Sequence, residues 1–257
     1  MEALDHIVIN TVFDIDEAAA LFTALGFHLT PLGRHSLGSL NHLLLVPGAY
    51  LELVGVPGTG KQRADILESP GGLNGLVLRS TDIEATFARL QAQGLAPSPP
   101  IDFSRPVTIN DTSVEARFRT VKLPFAAGRV YFCQHLTPDY VWRPEWLTHP
   151  NAFAGFDRLR IASPAPDAEA ERYAWLCGSE AETIESGYRI AMTGLDLEVV
   201  PGETARFAEL GLRFGDLDAL ADRASRLDAV TWRPDGGGSG LLEIPSLDLR
   251  LECRKAE

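Results

Sequence analysis

The stretch Gly38 to Val56 constrains this chain most. It holds two apolar runs, Leu43 to Val46 and Tyr50 to Val54, on either side of Pro47-Gly48. A Pro-Gly pair between such runs is a turn signal, so the pattern predicts an antiparallel hairpin. One acid, Glu52, interrupts the second run. Side chains alternate across a strand, which puts Tyr50, Glu52 and Val54 on one face and Leu51 and Leu53 on the other. An unpaired buried charge costs several kcal/mol, so Glu52 must meet water, a partner or a metal.

The hairpin closes a recognisable order of elements. Leu4 to Asn10 predicts a strand with His6, Val8 and Asn10 on one face. Asp14 or Asp16 then opens a helix whose Ala18, Leu21, Phe22 and Leu25 recur at helical spacing, and Gly26 stops it. Phe27 to Leu32 predicts a second strand. Strand, helix and three strands thus span residues 4–56. Residues 73–137 repeat the order: a strand at Leu76 to Arg79, a helix opened by Thr81-Asp82 and carrying Ile83, Phe87 and Leu90, then strands at Glu115 to Leu123 and Gly128 to Leu136. Together these units form a first domain over residues 1–137. The Pro- and Trp-rich segment 138–155 is expected to join it to a second, abbreviated half over residues 156–257. There Pro166-Asp167 and Asp216 open helices, and strands fall near Phe156 to Ala162, Tyr188 to Met192, Leu195 to Val200, Leu210 to Phe214, Leu241 to Ile244 and Leu247 to Glu252. The Gly236 to Gly240 run reads as a hairpin loop, because it lacks the Lys-Ser/Thr ending of a phosphate loop.

Composition narrows the classes of function. With 45% hydrophobic residues in 257, the chain can bury a sizeable core. Its 23 Lys+Arg against 35 Asp+Glu leave a net charge of -12 without a clustered basic stretch, which argues against nucleic-acid binding. Cys133, Cys177 and Cys253 show neither disulfide nor zinc-knuckle spacing, as expected of a reducing cytoplasm. No basic start precedes an apolar stretch, and no run approaches the ~18 apolar residues of a membrane span.

Several residues then stand out, each with two readings. Glu52 is a site carboxylate or a paired structural acid. His6 is a ligand, a general base or a hydrogen-bonded histidine at a strand start. His35 and Asn41, around the small pair Gly38-Ser39, grip a polar ligand group or merely turn the chain. Arg117 and Arg119 lie two apart on one strand face, where they clamp an anionic substrate or line a solvated surface. Trp142, Trp146 and His149 cover a cavity or pack between the halves.

The chain resembles the vicinal oxygen chelate superfamily, and within it the glyoxalase-like domain proteins. The resemblance rests on the element order from Leu-Asp-His-Ile-Val-Ile (4–9) to Tyr-Leu-Glu-Leu-Val (50–54). It rests also on His35-Ser-Leu-Gly-Ser-Leu-Asn41, the closing Tyr-Phe-Cys-Gln-His-Leu-Thr-Pro (131–138) and Trp-Leu-Thr-His-Pro-Asn (146–151). It covers Leu4 to about Pro150 and continues beyond Phe156 by element order alone. It implies an α+β fold in which tandem βαβββ modules form curled, partly open mixed β-sheet barrels with helices outside.

It further implies a divalent metal (Zn, Mn, Ni or Fe) inside the cup, bound by residues of the first and last strand of each unit. His6 and Glu52 match the ligand positions of unit one. In unit two the first position holds Gly75, and the last strand offers Cys133 or Gln134, depending on register. The implied function is a small-molecule enzyme of isomerase or lyase type, in which a metal on His6, Glu52 and Gln134 chelates neighbouring substrate oxygens and Glu52 or His6 moves a proton. His35, Asn41, Tyr50, Arg117, Arg119 and Trp142 would bind the substrate. A metal-free sequestering protein of the bleomycin-resistance type is the alternative, favoured by Gly75. An Fe-dependent ring-cleaving dioxygenase comes third. A monomer or weak homodimer is expected, since the units can pair within one chain.

Overall fold

A computed structural model describes residues 1–256 of the chain. The first unit contains β1 (Leu4–Val12), α1 (Ile15–Ala24), β2 (Gly33–Arg34), β3 (Leu40–Val46) and β4 (Ala49–Gly55). A single helical turn, α2 (Ala64–Leu67), leads to the second unit: β5 (Gly72–Arg79), α3 (Ile83–Ala92), β6 (Ile101–Ile109), β7 (Thr112–Leu123) and β8 (Arg129–His135). The third unit has β9 (Phe153–Ser163), α4 (Pro166–Cys177), β10 (Ala181–Ile184), β11 (Gly187–Met192) and β12 (Leu195–Pro201). The fourth has β13 (Arg206–Phe214), α5 (Leu217–Ala224), β14 (Thr231–Pro234), β15 (Ser239–Ile244) and β16 (Leu249–Lys255).

Two eight-stranded mixed sheets result, in the orders β2-β3-β4-β1-β5-β8-β7-β6 and β10-β11-β12-β9-β13-β16-β15-β14. The orders are equivalent strand for strand, so the second half carries the whole repeat with short strands at its edges. The first strand of each unit pairs in parallel with the last, as β1 does with β4 and β5 with β8. The first sheet curls until its edges touch. Ser36 N–H donates to the Ser104 carbonyl at 2.8 Å, and Ser104 N–H donates to Ser36 Oγ at 3.1 Å.

Local chemistry accounts for the boundaries. Asp82 caps α3 by accepting from the Glu84 and Ala85 amides, and Asp216 caps α5 through Ala219. On α1, Ile15, Ala18 and Phe22 form the buried stripe. The hairpin predicted from Pro47-Gly48 is β3–β4, with Leu43 opposite Glu52. Several expectations differ from the structure: β10 and β14 complete a second half expected to be abbreviated, and Asp14 stands at the start of α1 without a side-chain cap bond. Phe27 to Leu32 runs without strand pairing, and β2 is confined to Gly33–Arg34. Strand β6 is additional to the expected order; Pro106 obscures it in the sequence, and the strand tolerates proline because it lies at a sheet edge.

Two bulges shape the middle of the first sheet. On β1, Leu4 pairs with Leu78 and His6 with Val77, which leaves Asp5 as an extra residue. On β5, Val8 pairs with Gly75 and Ile9 with Leu73, which leaves Asn74 over. A bulge turns two consecutive side chains toward one face. The sheet's back carries Ile7, Ile9, Leu51, Leu76 and Leu78 into a core that is continuous with Phe156, Leu159 and Leu210 of the second half. The halves approach closely at Gly72 (φ +83°), where a Cβ would stand 2.7 Å from the Leu247 carbonyl oxygen. Among the described residues no helix is long and apolar enough to cross a membrane.

Candidate functional site

The hollow of the first sheet encloses a cavity of about 380 Å³, bordered by strands of both of its units. Its polar centre grows from the bulge at Asp5. His6 Nδ1 lies 2.7 Å from Asp5 Oδ1, and His135 Nε2 lies 3.0 Å from the same oxygen. Asp5 is fully buried, and Arg79 Nε reaches its other oxygen at 3.4 Å. Burial would raise the Asp5 carboxyl, but the two imidazoles outweigh burial and hold it well below the usual range. An ionised carboxylate only accepts, so the His6 proton sits on Nδ1 and its Nε2 lone pair turns to the cavity.

Nε2 of His6 lies 3.7 Å from Glu52 Oε2 and 3.4 Å from the Tyr131 hydroxyl. Asn41 Nδ2 donates to Glu52 Oε1 at 2.7 Å, which fixes the amide's orientation. Burial favours protonation of Glu52, but the His6 and His35 rings and the Asn41 amide overcome it, so its carboxyl sits below the usual range. The Tyr131 phenol is pushed up by burial and by the Glu52 charge, and it remains a donor at neutral pH. Tyr50 stacks on His6 with ring centroids 4.3 Å apart.

His6, His35, Asn41, Tyr50 and Glu52 therefore meet in one cavity. Other expected site residues lie elsewhere. Gln134 faces α3, accepting from the Ile83 amide and donating to the Thr81 carbonyl, so Cys133 is the inward member of that pair. Arg117 is exposed, and Arg119 pairs with Asp102 and Glu84 on the outer face. Strand alternation gives the inward positions of β7 to Phe118, Thr120 and Lys122 instead. Trp142 packs on His135 and Tyr50 behind the cavity wall, under the Arg79 guanidinium. His149 bridges β3 and the first-half helix region, accepting from the His28 amide while its Nε2 donates to the Leu45 carbonyl.

Four cations line the cavity that sequence reasoning did not assign to it: Arg63, Arg105, Lys122 and Arg129. Lys122 was findable by parity with Phe118, whereas Arg105 sits on the strand that Pro106 obscured. Asp65 neutralises part of this charge, at 2.6 Å from Arg63 and 2.5 Å from Lys122. His35 is pushed down to about 4 by burial, with Arg105 and Arg63 adding to the effect, so it stays neutral in the cup.

The donor set does not suit a tightly held divalent metal. His6 Nε2 and Glu52 Oε2 could share an ion, but the third implied position is Gly75, where a Cβ would come within 2.7 Å of Val8. The fourth, expected at Cys133 or Gln134, falls by strand register on Tyr131, a protonated phenol, and two strong ligands fall short of the three or four that such ions take. A separate trio, Asp5, Cys133 and His135, has ligand atoms within 4.8 Å of one another. There Asp5 is already engaged by two imidazoles, and burial pushes the Cys133 thiol up, away from the thiolate a metal needs.

The second sheet resolves the same geometry differently. Strand registers make Arg158 the counterpart of His6, Glu198 of Glu52, Glu209 of Gly75 and Glu252 of Tyr131. The Arg158 guanidinium lies 3.3 Å from Glu198, 3.6 Å from Glu209 and in contact with Glu252. A side-chain cation, held by three carboxylates, stands where His6 faces the first cavity, and Arg160 shares two of those carboxylates.

Comparison with known proteins agrees with this architecture. A hypothetical protein from Staphylococcus aureus superposes with a TM-score of 0.73 at 12% identity, over 100% of both chains. A mutant 4-hydroxymandelate synthase from Streptomyces coelicolor superposes with a TM-score of 0.61 at 15% identity, over 99% of this chain and 92% of that one. A xylose isomerase-like TIM barrel/4-hydroxyphenylpyruvate dioxygenase fusion protein does so at 0.57 and 14%, over 99% of this chain and 49% of that one. At these identities the likeness is one of fold. No curated protein matches the sequence significantly. Residues 4–177 match the glyoxalase-like domain, and the chain belongs to that family of the vicinal oxygen chelate superfamily.

Proposed function

We propose that this chain is a small-molecule enzyme of isomerase or lyase type, working from the first-half cup by moving a proton beside a substrate carbonyl. The observation that carries this reading is the buried Asp5–His6 pair, with His6 Nε2 directed at the cavity beside Glu52. His6 Nε2 takes the proton, and Asp5 stabilises the imidazolium that forms, as does the Glu52 carboxylate. The negative charge left on the substrate oxygen meets the Tyr131 hydroxyl and the cationic wall of the cup. Asn41 keeps Glu52 in place without taking part in the transfer. No metal enters these steps, because the donor set does not suit one.

A metal-free binding protein is the second reading, and Gly75 at an implied ligand position is what favours it. Deuterium exchange separates the two. The protein is incubated in D2O with a panel of 2-hydroxy and 2-oxo acids and their amides, and carbon-bound deuterium is followed by NMR. Exchange in the wild type that His6→Asn slows by about 100- to 10,000-fold supports the enzyme. Binding without exchange, or exchange that His6→Asn leaves unaltered, would sink it. Elemental analysis of the same preparations tests the metal directly: a stoichiometric ion lost on Glu52→Ala would replace this mechanism with a metal-dependent one.

A further inference from the structure

The cup contains buried polar atoms that its own residues leave unmatched. Arg105 is only 3% exposed, and its Nε and Nη2 have no hydrogen-bond partner among the described residues. Arg129 gives Nε to Asn74 at 2.6 Å, yet its Nη2 is likewise without a partner. An acceptor stands with these donors: Asn41 Oδ1 is buried and unmatched, because the amide's nitrogen is committed to Glu52. Gly33 makes room for this group, since a Cβ there would stand 3.0 Å from Arg105 Cδ and clash with Asn41 Oδ1. Buried donors and acceptors are nearly always satisfied, and a buried guanidinium without a counter-ion is costly to the folded state.

The wall beside Arg105 on β6 is apolar. Phe103 and Phe118 stack at 5.1 Å, with Ile101 beside them. Cavity-lining charge adds to four cations, Arg63, Arg105, Lys122 and Arg129, against two carboxylates, Glu52 and Asp65. Asp65 is spent on Arg63 and Lys122 and reaches Arg129 Nη1 at 3.9 Å, and Glu52 is spent on Asn41 and His6, which leaves Arg105 the least neutralised.

We infer that Arg105, Arg129 and Asn41 form a recognition subsite for a small organic carboxylate that carries a hydroxyl group next to the acid and an apolar body. The carboxylate accepts from Arg105 and Arg129, the hydroxyl donates to Asn41 Oδ1, and the apolar body lies along Phe103 and Phe118. This deepens the proposed function by naming its substrate class, and it rests on the reading of the cup as a small-molecule site. A carbon bearing that hydroxyl, flanked by the acid, is also one whose proton a base can remove.

Isothermal titration of the full chain tests the subsite with four probes: 3-phenyllactate, its amide, 3-phenylpropanoate and phenyl phosphate. Charge-assisted hydrogen bonds imply that the amide binds about 10- to 100-fold more weakly than the acid, and loss of the hydroxyl in 3-phenylpropanoate weakens binding about tenfold. Arg105→Gln should lose the preference for acid over amide, while Arg117→Gln, on the outer face, should keep it. The thermal midpoint of Arg105→Gln should not fall, because the substitution removes an unpaired buried charge.

Equal affinity for acid and amide, or no binding of any acid at millimolar concentration, would overturn the subsite. So would a lowered midpoint with unaltered affinity in Arg105→Gln, the behaviour of a structural arginine. Tighter binding of phenyl phosphate than of phenyllactate would overturn the carboxylate assignment. The two proposals fail separately. Acid binding without deuterium exchange leaves the subsite standing and removes the proton transfer, whereas exchange on the amide with no preference for the acid does the reverse.

Discussion

Asp5 accepts a hydrogen bond from His6 Nδ1 at 2.7 Å, although neighbours along a strand ordinarily face opposite sides. The β1 bulge makes the contact possible, and it gives the imidazole a fixed tautomer. Because the Asp5 carboxyl is held below its ordinary value, the stability it contributes is present above the ordinary carboxylate pKa and is lost as pH falls toward the depressed one. Asp5→Asn keeps the size but not the charge opposite two imidazoles and Arg79. It should cost about 3–5 kcal/mol in urea denaturation at neutral pH. It should also slow exchange as severely as His6→Asn.

His35 gives the cup a second sensitivity to acid, of different origin. The unfolded chain takes up a proton there near 6.5, while the folded protein resists until about 4. The unfolded state therefore binds more protons within that interval, and stability falls as pH drops through it. Linkage puts the loss at roughly 3 kcal/mol. Urea midpoints for wild type and His35→Gln, compared between the ordinary and depressed values, should show the steeper slope in the wild type, because His149, also held down by burial, leaves a residual slope in both.

Gly75 is confined by Val8 rather than by its backbone, with a Cβ 2.7 Å from Val8 Cβ and Cγ2. Gly75→His alone should destabilise by about 1–3 kcal/mol through overpacking. Combined with Val8→Gly, which removes both crowding atoms, it should add an imidazole to His6 and Glu52. Equilibrium dialysis should then find one equivalent of Zn²⁺ or Ni²⁺ on the double variant and little on the wild type.

Arg158 balances three acids in the second half. Arg158→Ala removes the one cation shared by Glu198, Glu209 and Glu252, while Arg160 still pairs with the first two and Arg254 with the third, at a cost of about 2–3 kcal/mol. Those oxygens would form a hard-cation cage, so millimolar Ca²⁺ or Mn²⁺ should raise the variant's thermal midpoint and leave the wild type's unchanged. Differential scanning fluorimetry reads both effects.

Much of this architecture was legible because local signals agreed. Pro47-Gly48 fixed the β3–β4 hairpin, Asp82 and Asp216 marked helix starts, and period-two alternation put Tyr50 and Glu52 on one face. What escaped notice depended on residues far apart or on a broken period. The bulge at Asp5 is an offset between β1 and β5, so neither strand alone announces it, and Asp5 was missed beside a noticed His6. Arg117 and Arg119 were correctly set on one face of β7, but parity alone does not say which face is inside. The sheet closes so that Phe118, Thr120 and Lys122 line the hollow. Arg105 was lost with its whole strand, since Pro106 is a breaker everywhere except at an edge.

The two hydrogen bonds between Ser36 and Ser104 fasten the free margins of the first sheet. Each such bond contributes about 1 kcal/mol net, far less than parting any fully laddered strand pair would cost. The margins of the first sheet are thus joined more weakly than its laddered strands. Traffic into and out of the hollow should pass where these serines meet, and its speed should answer to changes at two residues that never touch what is carried.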